Sequence, residues 1–164
     1  AKLIRRYKDG KAFFENGHYY DAYNHVIHSL HHLARLSIIE KGLHPEVTVW
    51  NQVKKIEPEV YKLYAELVMS DEPLDKRLQL LFLASEFLIH ARTESGSTHL
   101  LSILREKEFW TFDDIMNHHE LKIYSVDLQI LIEYLIERGK IDVKKAKTNE
   151  DHIFNRYYMA LKNV

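Results

Sequence analysis

The chain has 164 residues, 46% of them hydrophobic and 29% charged, with 23 basic against 24 acidic side chains and a formal net charge of -1. That length holds one good core or two small ones, and the balanced charge excludes a global electrostatic pull toward nucleic acid or membrane. The absence of cysteine excludes disulfides, thiolate catalysis and cysteine-ligated zinc or iron–sulfur sites, leaving histidine and carboxylate as the strong metal ligands.

Eleven histidines are many for this length, and each adds positive charge as pH falls through about 6.5. No stretch approaches 18 uninterrupted apolar residues and no charged-then-apolar signal segment opens the chain, so it reads as cytoplasmic, with no membrane partner. The first residue, Ala1, is not methionine and residues 1–6 carry no capping signal, which reads as a piece of a longer polypeptide.

Leu3, Ile4, Tyr7, Phe13 and Phe14 predict a first helix over 2–15, weakened by Gly10 by roughly 1 kcal/mol relative to alanine. Asn16-Gly17 breaks it. A long helix follows from about His18 and ends where Gly42 can take the left-handed conformation beyond Lys41. Its residues Tyr19, Tyr23, Val26, Ile27, Leu30 and Ala34 share an apolar face. Asp21, His25, His28 and His32 fall roughly 140° to 200° from the direction of Tyr23, with Arg35 on the same polar side. Pro45 and Pro58 each suit a first helical position, so 46–56 and 59–69 read as two shorter helices. After Asp71-Glu72-Pro73, Leu74, Leu78, Leu81, Phe82, Ser85, Leu88 and Ile89 recur at helical spacing to about Ala91, and the near all-round apolarity marks a central helix. The small polar run from Thr93 to Ser97 separates a helical bundle over 1–92 from a second domain over 97–164.

In that second domain the pattern predicts a helix over 98–107, a short extended Phe109-Trp110, and a helix opened by Thr111-x-x-Asp114, which resembles a capping box. Ser125 is the expected cap of a third helix that carries Val126, Ile130, Leu131, Tyr134 and Leu135 to a core and stops at Gly139. Ile141, Val143 and Lys145 alternate as a strand, Asn149-Glu150-Asp151 supplies a turn, and 152–159 returns. Helix, short strand, helix, helix, hairpin is the order of a winged helix. The fold class is therefore mainly α: an antiparallel helical bundle followed by a small winged-helix domain with a β-hairpin.

The polar side of the long helix is the candidate site, with Asp21, His25, His28, His32 and Arg35 as substrate-binding residues. Asp21 with His25 and His28 with His32 are i, i+4 pairs, which can hold an anionic ligand or a cation when the face is partly enclosed. A metal needs three ligands and oriented neighbours, and a shared face alone does not supply them, so no metal site is assigned. A solvated or interdomain polar face asks least of the sequence. In the second domain the third helix displays Asp127, Gln129, Glu133 and Glu137, the wrong sign for a DNA groove. Arg138, Lys140, Lys144, Lys145 and Lys147 form a basic wing able to touch a phosphate backbone non-specifically, so protein contact is favoured over nucleic acid. Tyr157 and Tyr158 read as hairpin core and cross-strand partners, and Trp50 and Trp110 as core or interface anchors.

The run His18-Tyr19-Tyr20-Asp21-Ala22-Tyr23-Asn24-His25, followed by His31-His32-Leu33-Ala34-Arg35 and Glu40-Lys41-Gly42, resembles the start of the helical substrate-binding domain that follows the catalytic domain in bacterial nucleotidyltransferase-like proteins. That domain is similar in style to the HEPN superfamily. The resemblance implies the C-terminal part of such a protein, an accessory module that helps hold the acceptor substrate. Its partner would be a preceding nucleotidyltransferase-like domain, and it could also pair as a homodimer. The family's catalytic signature, a Gly-Ser pair followed by Asp-x-Asp, has no counterpart, because no Asp-x-Asp follows Gly96-Ser97. Transferase chemistry is therefore not expected in this segment, and no cofactor is identified. Two alternatives are a winged-helix regulator with a ligand-sensing bundle and a HEPN-type ribonuclease. The latter's Arg-x(4 to 6)-His signature is matched by Arg92 and His99, where roughly 1.6 matches are expected by chance.

Overall fold

The computed structural model describes residues 1–147 and 154–161. These residues form eight α-helices, one 3-10 helix and a two-stranded antiparallel hairpin, the mainly helical class expected. The chain divides into two compact units, one of Lys2–Arg92 and one running from Thr93 onward together with Ala1. Among the described residues no helix is long and apolar enough to cross a membrane.

In the first unit α1 (Lys2–Glu15) and α2 (Tyr19–Glu40) pack as an antiparallel pair. Gly10 is buried at their closest approach. A Cβ placed there would lie 2.9 Å from Val26 Cγ2, so the residue that weakens α1 as a helix is the one that lets α2 come near. Two turns back along α1, Ser29 Oγ donates to the Leu3 carbonyl at 3.2 Å. Leu3, Ile4 and Tyr7 of α1 and Ala22, Val26, Leu30 and Leu33 of α2 are buried. Gly42, at φ +73°, ends α2 as expected: its N–H donates to Ile39 O at 2.9 Å and that of Leu43 to Ile38 O at 3.2 Å, the paired bonds of a Schellman motif.

Two short helices follow, α3 (Val49–Ile56) and α4 (Pro58–Met69). The second begins on its proline as expected, whereas α3 starts at Val49 instead of next to Pro45. The Gln52 side chain explains the late start, since its Oε1 accepts from Glu46 N–H at 3.1 Å and its Nε2 donates to His44 O at 3.0 Å. Backbone groups satisfied in this way have no need of a helical turn. Trp50 stacks on Tyr64 with ring centroids 3.8 Å apart.

The helix α5 (Leu74–Gly96) buries Leu78, Phe82, Ser85 and Ile89, with Phe82 against Tyr7 and Phe14 of α1 at 5.6 and 5.4 Å. The polar run expected as a linker is helical through Gly96, and Ser97 Oγ donates to Thr93 O at 2.6 Å. Small polar residues suit a break, but a hydroxyl bonded one turn back lets serine join a helix end.

The second unit opens with α6 (Thr98–Leu104), three residues shorter than expected. Trp110 then pairs with Tyr158 through backbone bonds of 3.0 and 2.8 Å, and its indole N–H donates to Leu104 O at 3.0 Å. The capping box exists: Thr111 Oγ1 accepts from Asp114 N–H and Asp114 Oδ2 from Thr111 N–H, both at 3.1 Å, opening α7 (Phe112–Asn117). These hydrogen bonds from Thr111 hold the Asp114 carboxyl below its ordinary value. A 3-10 helix over Leu121–Asp127 precedes α8 (Leu128–Glu137). The expected third helix thus starts later than Ser125, and Val126 is exposed where a core position was expected. Leu128, Leu131, Tyr134 and Leu135 supply that core. Strands β1 (Ile141–Lys147) and β2 (Phe154–Ala160) pair antiparallel, from Ile141 opposite Ala160 to Lys147 opposite Phe154. The Ser125 side chain and the expected turn at 149–151 lie outside the described residues.

Candidate ligand-binding face

The buried side of α2 comprises Ala22, Val26, Ser29, Leu30, Leu33, Ala34, Ser37 and Ile38. Its centre lies roughly 50° from the direction of Tyr23. Two serines sit on that side. Ser29 bonds to Leu3 O across the helix pair and Ser37 Oγ to Leu33 O at 3.0 Å, so both hydroxyls are buried with partners. Tyr23 and Ile27 are half-buried and His25 stands at the seam with α1, while Tyr19, the first residue of the helix, is exposed.

This offset divides the five expected site residues. Asp21 is exposed in the first turn of α2, where a carboxylate suits the positive helix end. His25 is half-buried, with Nδ1 3.6 Å from Asp9 Oδ2 and its ring 5.1 Å from that of Phe13, so it belongs to the α1–α2 packing. His28 and Arg35 are exposed and His32 is half-buried. At 1.5 Å per residue, Asp21 and Arg35 stand about 21 Å apart along the axis, too far for one small ligand, whereas His28 to Arg35 spans about 10 Å.

Around His28, His32 and Arg35 the fold collects three basic groups absent from the expected site: Lys2 and Arg6 from α1, and His31. The antiparallel register that sets Leu3 beside Ser29 brings them there. His32 is held below its ordinary pKa by burial first, then by His31, Lys2, Arg6 and His28. His31, its ring 6.4 Å from that of Trp50, is lowered by burial, Arg35 and His28. No carboxylate is among the groups that shift either ring. Imidazoles kept neutral beside fixed cations can donate N–H bonds to an anion and gain a proton when it binds. The signal available in sequence was the i, i+4 spacing of Lys2 and Arg6, whose facing partner only the helix pairing defines. Among the described residues no group of three or more His, Asp or Glu is placed to hold a metal ion.

Arg92 and His99, the ribonuclease pair, have separate carboxylate partners. Arg92 Nη2 donates to both oxygens of Glu57 at 2.6 and 2.7 Å and its Nε lies 3.2 Å from Glu40 Oε2, which neutralises the guanidinium. His99 Nε2 lies 3.2 Å from Glu120 Oε2, and its Nδ1 lies 3.2 Å from the Tyr124 hydroxyl.

On the wing, side chains alternate between the two faces of β1, so Lys144 points opposite to Lys145 and Lys147. Lys144 lies 5.5 Å from the Phe109 ring centre, while Lys145 stands directly across from Arg156. Lys140 is half-buried at the end of α8, and Arg138 is paired with Glu94 at 3.1 Å. The basic residues therefore do not form one continuous stripe. The exposed side of α8 carries Gln129, Glu133 and Glu137, with Gln129 Nε2 bonded to Glu133 Oε1 at 2.9 Å.

Residues 1–92 match the YgxA-like substrate binding domain family and residues 98–160 a helix-turn-helix domain. The chain is 52% identical over all 164 residues to the uncharacterized protein YgxA of Bacillus subtilis (strain 168) and covers 56% of it. It superposes on the crystal structure of a nucleotidyltransferase-like protein from Exiguobacterium sibiricum 255-15 with a TM-score of 0.88 and 41% identity, covering 98% of this chain and 56% of that one. The chain thus spans a little over half the length of these relatives.

Proposed function

The chain belongs, through residues 1–92, to the family of YgxA-like substrate binding domains, and from that premise we propose that it is the substrate-holding and interaction part of a cytoplasmic nucleotidyltransferase-like protein. In this reading the catalytic signature lies in a preceding domain of the same protein. The observation that carries it is the cluster of Lys2, Arg6, His28, His31, His32 and Arg35, six basic groups on facing helices with no carboxylate among those that shift the two central histidines. Such a cluster suits a phosphate-bearing ligand: Arg35 and Arg6 give charge-assisted bonds, Lys2 a mobile point charge, His28 a further ring donor, and His31 and His32 donors that become charged on binding. Asp21 and His25, expected in the same site, lie outside the ligand's reach and serve the helix end and the α1–α2 seam.

The test is titration of the protein with inorganic pyrophosphate and with ATP near pH 6.5, followed by calorimetry and by emission of Trp50, whose ring adjoins His31. Replacing Arg35 or His28 by alanine should weaken binding about tenfold or more, the worth of one charge-assisted bond. Unchanged affinity in both variants would remove the reading.

The winged helix in this proposal makes protein contacts, because the exposed side of α8 bears Glu133 and Glu137. The helix-turn-helix match favours a second reading, a regulator that touches a duplex backbone through Lys140, Lys144, Lys145 and Lys147. Duplex binding whose affinity falls steeply between 50 and 200 mM salt, as counterion release requires, would favour that reading. Binding absent at low salt would eliminate it.

A further inference from the structure

The outward side of α5 carries an apolar stripe between Leu80 and Ala91. Leu80, Leu83 and Phe87 are 62, 71 and 79% exposed, and with Ala84 and Ala91 they recur at helical spacing over about 16 Å of the axis. Scattered exposed leucines need no explanation, but a contiguous stripe on a 23-residue helix whose other side already holds the core of its unit does. The stripe continues into a groove of about 630 Å³ between α4 and α5, floored by Leu63, Leu67, Leu81 and Leu88. The groove keeps its shape through Arg77, whose Nη1 donates to Leu67 O at 2.7 Å.

We propose that this face is the docking surface for the further domain that makes up the remaining length of the longer relatives. The inference rests on the reading of the chain as one part of a nucleotidyltransferase-like protein. Two magnitudes favour that occupant over a second copy of the chain. The matched region is 56% of each relative, which leaves on the order of 130 residues, the size of one domain. At about 150–200 Å² for a fully exposed large side chain, the three large residues of the stripe offer roughly 400 Å². Doubled across a contact, that falls within the range of about 600–1,500 Å² for domains joined in one chain and below the 1,200–2,000 Å² of independently associating proteins. The tethered partner needs less area because the covalent link supplies a high effective concentration. The docking face is thus α5, and the basic α1–α2 cluster stays open to ligand.

The chain has no cysteine, so Leu83→Cys and Phe87→Cys each introduce one unique thiol at an exposed position that folding does not use. Maleimide labelling is measured in this 164-residue chain and in the full natural protein that carries it, any cysteine of the added part being changed to serine. Tyr20→Cys, on the surface of α2, serves as reference, and circular dichroism confirms the fold of each variant. Labelling at positions 83 and 87 should be fast in the 164-residue chain and at least tenfold slower in the full protein, with the reference unchanged. Equal rates in both lengths would overturn the proposal. So would slow labelling in the 164-residue chain itself, whether with a doubled molar mass, which assigns the face to a second copy, or as a monomer, which assigns it to an internal contact. Labelling does not depend on what binds the basic cluster, so failure here and failure of the pyrophosphate titration are separate results.

Discussion

Replacing Gly10 by alanine sets helix propensity against packing. Alanine inside a helix is favoured over glycine by about 1 kcal/mol, so a free helix α1 would gain. In the folded unit the added Cβ would meet Val26 Cγ2 at 2.9 Å, and Ala22 O and His25 Cβ at 3.4 Å, where carbon atoms prefer about 3.5–4.0 Å. Val26 has no easy retreat, because it is buried and β-branched and a helix holds it to one rotamer. Overpacking of this kind costs about 1–3 kcal/mol, which leaves a net loss of about 1 kcal/mol for Gly10→Ala. Gly96 is the matched control: it also lies in a helix, a Cβ added there would meet nothing within 4 Å, and it should gain up to about 0.5 kcal/mol as alanine. Thermal unfolding followed by Trp50 emission in a Trp110→Phe background should show Gly10→Ala melting about 5 °C lower, by the 4–8 °C per kcal/mol typical of a unit this size. In a Val26→Ala background the same substitution should become neutral or favourable. A rise in melting temperature on Gly10→Ala with Val26 in place would refute the close-approach explanation, and with it the reason Lys2 and Arg6 reach the histidines.

Glu57→Ala should destabilise the first unit by about 2 kcal/mol in urea unfolding, less than a fully buried pair would give, because Arg92 loses its two shortest bonds while Glu40 remains. Thr111→Ala should cost the second unit about 1 kcal/mol through loss of the capping box, read in the same way. For pH, His31 and His32 titrate below their ordinary value of 6.5 in the folded chain, so as pH falls past that value the unfolded chain takes up those protons first. The unfolded state then binds more protons, and stability, fully present above pH 6.5, drops as pH falls toward the folded values. Urea midpoints should therefore decline from pH 7 to 5.5, less so in His32→Gln, and pyrophosphate should restore them by favouring the protonated rings. A flat profile without anion would contradict the crowding of cations around His32.

Local chemistry was legible in the residues themselves: Gly42 closing α2, Pro58 opening α4, the Thr111–Asp114 box and the winged-helix order all follow from interactions within a few positions of each other. The polar side of α2 was legible too, since a periodic pattern fixes which residues share a face. What the pattern left open was the angle at which that face meets its neighbours. The buried side includes two serines, each satisfied by one hydrogen bond, and with it His25 meets the α1 seam while His28 and Arg35 stay exposed and His32 half-buried. Only tertiary pairing could add Lys2 and Arg6, because their distance from His32 is set by how close Gly10 lets two helices come. The apolar residues of α5 were likewise visible in sequence, but composition does not say which side is covered. Hydrophobicity is a property of each residue, whereas burial belongs to the assembled surface, and here the assembled surface leaves Leu80, Leu83 and Phe87 open.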